Sequence, residues 1–106
     1  MSFKKERYEE ILRDYAARFF AQESNRTSLI TITRVSANDA GNIATVYFTV
    51  FPDNQEDAVL DFIKRKAREF RSFVKDNARL MKIPFFEFSI DRGEKARQKI
   101  DASILK

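Results

Sequence analysis

This 106-residue chain contains neither cysteine nor histidine. Without cysteine there is no disulfide framework, no thiolate nucleophile and no zinc–thiolate site. Without histidine the commonest general base near neutral pH, which is also the commonest metal ligand, is missing. Glycine and proline occur only twice each. Two glycines cannot build a Walker loop or a dinucleotide fingerprint, and no serine lies in a Gly-x-Ser-x-Gly elbow. So little glycine and proline also argues against a low-complexity or generally disordered chain. No apolar run is long enough to cross a bilayer, and no apolar signal segment follows the start. A soluble, unexported, cytoplasmic protein is expected. No catalytic residue, metal, cofactor or small-molecule substrate is assigned to it.

What is present is bulky core material and localised charge. Eleven phenylalanines supply one core, enough for a single domain over residues 1–106. The stretch 62–82 organises the rest. Ile63, Ala67, Phe70, Val74, Ala78 and Met81 recur every three or four residues and share one helix face. Lys64, Arg68, Arg71, Lys75, Arg79 and Lys82 follow one position behind, on a strip about 100° round the cylinder, with Arg65 beside it. Residues 61–82 hold eight Lys or Arg against three Asp or Glu, while the whole chain is only +4. The basic excess is therefore local. An apolar strip that buries beside a basic strip that stays wet suits a polyanion, through salt-dependent phosphate contacts with little sequence choice. Phe70 and Phe73 are weaker candidates for stacking on bases.

Around this stretch the periodicities predict the other elements. Residues 2–20 read as a helix with Tyr8, Ile11, Leu12, Tyr15, Phe19 and Phe20 on its apolar face and a Glu9–Arg13 pair on another. Residues 22–27 are polar and aperiodic, hence a loop. Residues 29–36 and 43–51 alternate as strands and should pair as an antiparallel hairpin across a turn at Gly41 or Asn42. Asp53 or Asn54 is the expected N-cap of the central helix. One helix from residue 54 to 81 is long for this domain, so a kink or break is expected inside it. Pro84 ends the helix and opens a third strand over residues 85–91. Asp91 and Glu94 should be solvated carboxylates flanking an Arg92-Gly93 turn. Residues 94–106 then form a short helical tail whose Ile100, Ile104 and Leu105 dock. The fold class is α+β, with helices on one face of a three-stranded sheet.

Four stretches carry a resemblance. They are Ile30-Thr31-Ile32-Thr33-Arg34-Val35, Ala44-Thr45-Val46-Tyr47-Phe48-Thr49-Val50, Ala67-Arg68-Glu69-Phe70-Arg71, and the run from Ile83 to Asp91. In order and spacing the sequence resembles the ribosome-binding factor A family over residues 7–105. The resemblance implies a type II KH-like fold, α-β-β-α-α-β, in which a kinked Ala-x-Gly joint replaces the Gly-x-x-Gly loop. Here Glu69 stands where that glycine would be. The resemblance also implies binding to the small ribosomal subunit and its rRNA during late maturation, without catalysis; a monomer is expected. Arg71 holds the family's basic position after the joint, as an RNA contact. A protein-interaction module is the alternative, which would expose apolar residues such as Phe51, Phe73 or Phe85 and bind without regard to salt.

Overall fold

The computed structural model describes residues 2–23 and 28–104. Every second residue of β2 (Ile43–Phe51) turns inward, so that Ala44, Val46, Phe48 and Val50 are buried. β1 (Leu29–Ala37) starts the same way, with Ile30 and Ile32 inside. A bulge at Thr33 then shifts the register between Ile32 and Arg34, and the buried set becomes Val35 and Ala37. The hairpin turn is closed by the Asn38 side-chain oxygen, which accepts from the N–H groups of Asn42 and Ile43 at 3.0 and 3.1 Å. Gly41 supplies the positive φ of 72° that the turn needs.

The two strands pair antiparallel, and β3 (Phe85–Ile90) lies parallel to β2, giving the order β1-β2-β3. A parallel return requires a crossover, which α2 (Glu56–Arg65) and α3 (Ala67–Asn77) supply. α1 (Ser2–Glu23), α2 and α3 bring Leu12, Phe19, Phe20, Ile63, Phe70 and Val74 onto the inner sheet face. With α4 (Arg92–Ile104) the order is α-β-β-α-α-β-α, the type II KH-like arrangement with a C-terminal helix. Phe70 is fully buried at the centre, its ring 4.5 to 6.3 Å from those of Phe19, Phe20, Phe86 and Phe88.

Several local expectations are corrected. Gln22 and Glu23 belong to α1, and only residues 24–27 of the expected loop lie outside the described residues. Glu9 does not pair with Arg13. It accepts the Ala37 N–H at 2.8 Å, tying α1 to the end of β1, and Arg13 meets Asp14. Neither Asp53 nor Asn54 caps α2, because a 3-10 turn (Asp53–Gln55) precedes the helix and no side chain bonds its end. Ile100 is 59% exposed and does not dock. The Ile104 and Leu105 side chains lie outside the described residues.

The carboxylate of Asp91 is not solvated. Arg92 and Gly93 form the first turn of α4, and Asp91 caps it by accepting the Glu94 N–H at 3.0 Å. Its other oxygen accepts from the Thr33 hydroxyl at 2.6 Å and faces the Arg34 guanidinium at 3.5 Å. The bulge in β1 places Thr33 for this contact. The Thr33 hydroxyl and the Glu94 N–H, helped by Arg34, hold the Asp91 carboxyl below its ordinary pKa. A lowered folded-state pKa contributes stability above the unfolded value, and that stability is lost as pH falls through the folded one. Asp91→Ala should destabilise by about 2–4 kcal/mol, a cap plus a buried charged hydrogen bond. Asp91→Asn should flatten the acid limb of stability below about pH 4. Urea unfolding at pH 7 and pH 3 reads both.

Candidate nucleic-acid interface

The central helix breaks at Lys66. Its φ of −89° and ψ of 0° carry its N–H onto the carbonyls of Phe62 and Ile63 at 3.1 and 3.0 Å. The Lys66 carbonyl accepts from Phe70 at 2.9 Å, so the helix resumes at once. Because φ stays negative, no glycine is required. The joint therefore precedes Ala67-Arg68-Glu69, and Glu69 lies inside α3, paired with Lys66 at 3.3 Å.

The helix also ends sooner than its periodicity predicts. Tyr15 of α1 donates its hydroxyl to the Asn77 carbonyl at 3.1 Å, taking the acceptor that the next turn would use. Ala78 is extended, with ψ at 140°, and Met81 is fully exposed rather than on an apolar face. Arg79 and Lys82 are consequently off the helix. Arg79 lines a recess of about 290 Å³ with Asp14, Tyr15 and Arg18. Lys82 donates to the Ala40 carbonyl at 3.0 Å, at the hairpin turn. There the Tyr8 phenol, its pKa raised by burial, reaches the carbonyls of Gly41 and Lys82.

The remaining cations separate into a row and an outlier. Arg68, Arg71, Ser72 and Lys75 face Phe85 and Phe86 of β3 across a groove of about 580 Å³. Lys64 and Ala67 continue past the joint along Phe86, Glu87 and Phe88, in a recess of about 360 Å³. Arg65 is exposed but lines neither. The break at Lys66 thus leaves Lys64 in line with the α3 cations beside the edge strand β3.

Lys64, Arg65, Arg68, Lys75 and Arg79 are exposed, and none pairs with a carboxylate among the described residues. Arg71 is different. It is half-buried, donating from Nε to the Pro84 carbonyl at 3.0 Å and from Nη2 to the Ile83 carbonyl at 2.9 Å. It pins the segment after α3 to the helix, and its guanidinium lies 4.5 Å from the centre of the Phe85 ring. Glu87 is the acid among the groove and recess residues.

The phenylalanines read as stacking candidates are not available. Phe70 is core, and Phe73 packs against Tyr15 and Phe19 at 5.9 and 5.5 Å. Phe85 is the exposed ring of the groove, at 66%. The sequence signal for it was alternation: with Phe86, Phe88 and Ile90 inward, Phe85 must point out. Physically this is a trough for an anion, with cations on the helix side and aromatic surface on the strand side. Among the described residues there is no cluster of acids fit for a metal ion and no helix long and apolar enough to cross a membrane.

Known proteins share this fold. The crystal structure of ribosome-binding factor A from Thermus thermophilus superposes with a TM-score of 0.73 at 23% identity, covering 83% of this chain and 96% of that one. A homology model of the Thermus thermophilus factor, fitted into the cryo-electron microscopy map of a 30S–ribosome-binding factor A complex, gives a TM-score of 0.61 at 23% identity, covering 77% and 93%. At this identity the likeness establishes the fold. In sequence, ribosome-binding factor A of Fervidobacterium nodosum is 34% identical over 74 residues, which is 69% of this chain and 59% of that relative. The match thus spans about three fifths of the relative's length. The family model described as Ribosome-binding factor A matches residues 4–104, and the chain belongs to the ribosome-binding factor A family.

Proposed function

We propose that this protein binds the small ribosomal subunit in the cytoplasm, as a monomer and without catalysis, during late maturation. Its Lys64–Arg68–Lys75 row lies along an rRNA backbone. The observation that carries this reading is the row itself, three exposed cations with no carboxylate partner beside an edge strand. Unpaired cations in a row are free to replace the counterions of successive phosphates, which gives affinity that falls steeply with salt. Family membership supports this target, since a homology model of the Thermus thermophilus relative was fitted into the map of a 30S complex. Arg65 and Arg79 flank the row and extend the field. Arg71, half-buried and bound to two carbonyls, contributes mostly by holding the groove's shape, and Lys82 is exposed but engaged with the Ala40 carbonyl. Bound this way, the protein favours whichever rRNA conformation presents phosphates at that spacing, by differential affinity alone. The test is co-sedimentation with free small subunits across a salt series. Binding that weakens steeply with salt supports the reading, and salt-insensitive binding contradicts it.

One observation favours protein contact at a different place. Leu29 and Phe51 are register partners at the end of the hairpin and are 60% and 73% exposed. A partner docking there would bind independently of salt and of the basic row.

A further inference from the structure

We infer that Phe85 is a stacking platform for one unpaired base, so that the rRNA segment in the groove is single-stranded. The inference rests on the RNA-binding reading above and adds the class of RNA. Three observations carry it. Phe85 is 66% exposed, on the outward side of a strand whose Phe88 and Ile90 are buried, so much of the residue meets solvent. One side of the ring is held: Arg71 places its guanidinium 4.5 Å from the ring centre while anchored to the Ile83 and Pro84 carbonyls. Beside it on the same sheet face is Ile43, its register partner on β2. The ring is therefore fixed before any ligand arrives, and little side-chain freedom is lost on binding.

Charge complementarity identifies the occupant. Arg68 and Lys75 line the same groove as Phe85 and carry no ion pair among the described residues. Phosphates on the cations leave the sugar and base to reach across to the strand side, where the exposed ring stands. Base–aromatic stacking with cation–π support from arginine is the recognised device of single-strand binders. A duplex keeps its base faces covered by stacking on neighbours and presents only edges and backbone. It can engage the cations but not the ring. An apolar protein partner would satisfy Phe85 while leaving the cations idle.

The chain contains no tryptophan, so Phe85→Trp introduces a unique fluorophore at the platform. Emission of this variant should be quenched by a single-stranded oligouridylate or oligoadenylate and left unchanged by a blunt RNA duplex of equal length. Phe85→Ala should weaken binding of the same oligonucleotides roughly 5- to 100-fold, with Phe85→Trp retaining most of the affinity. Thermal melts of both variants monitor the Arg71 anchor, and the Phe85→Leu variant separates ring stacking from apolar bulk. Quenching that is equal for duplex and single strand would overturn the inference. So would unchanged affinity in Phe85→Ala. If Phe85→Ala still co-sediments with subunits as the parent does, stacking fails and the basic-row reading stands. If the parent chain itself shows no salt-dependent subunit binding, the underlying reading fails instead.

Discussion

Replacing Lys64, Arg68 and Lys75 together by glutamate should reduce small-subunit affinity by two orders of magnitude or more at low salt, with the fold intact. Each of these residues is exposed and none holds a carboxylate, so each change is a surface change, within about 0.5 kcal/mol of neutral for stability. The binding term is much larger. Losing three phosphate contacts should flatten the slope of log affinity against log salt by about three, and the introduced carboxylates add repulsion. Affinity measured from 50 to 300 mM salt reads both. Arg71 is left out deliberately, because its Nε and Nη2 hydrogen bonds hold Pro84 and Ile83. An Arg71 variant would confuse loss of contact with loss of shape.

Phe70→Ala should cost about 3–5 kcal/mol of stability. The ring is fully buried and touches the rings of Phe19, Phe20, Phe86 and Phe88, so no neighbour closes the cavity without moving α1 or β3. Part of the loss is the edge and tilted ring contacts, beyond the area they bury. A marginally stable domain has about 5–15 kcal/mol in total, so the variant should melt many degrees lower. Phe73→Ala makes the comparison, since Phe73 is only half-buried and should cost clearly less. Denaturant midpoints of the two variants decide it.

Those two predictions draw on readings of very different legibility. The strand faces were plain in the sequence because alternation leaves little choice: β2 runs Ile43–Phe51 as read, with its even residues inside. The apolar face at Ile63, Phe70 and Val74 was equally plain. Other features depended on partners far along the chain. Nothing local in residues 78–82 says that Tyr15 will take the Asn77 carbonyl and stop the helix. Nothing near Asp91 says that a bulge 58 residues earlier will present Thr33 to it. The bulge itself is invisible to a period-two count, which carries on from Ile32 to Arg34.

The basic strip was half legible for the same reason. Lys64, Arg68, Arg71 and Lys75 keep a common side because the break at Lys66 does not throw α3 out of line with Lys64. Arg79 and Lys82 follow an ideal helix in the sequence but sit beyond its end, in the irregular segment before β3. Arg71 illustrates a further limit. Composition cannot distinguish a cation that waits for a phosphate from one that serves two backbone carbonyls. Phe85 looked like a patch residue on its own and gains its meaning from Arg68 and Lys75 across the groove.

The absence of cysteine makes one direct measurement possible. Ser72 is exposed and lines the groove between Arg68 and Lys75, so Ser72→Cys gives a single attachment point for a short photo-crosslinker. Glu10→Cys, exposed on α1, serves as the control. After irradiation with free small subunits, the Ser72→Cys protein should join to rRNA at one confined site, and the Glu10→Cys protein should join far less. Crosslinks from Ser72→Cys that go only to ribosomal proteins, or rRNA yields no higher than from Glu10→Cys, would contradict the claim that this groove is where the rRNA lies.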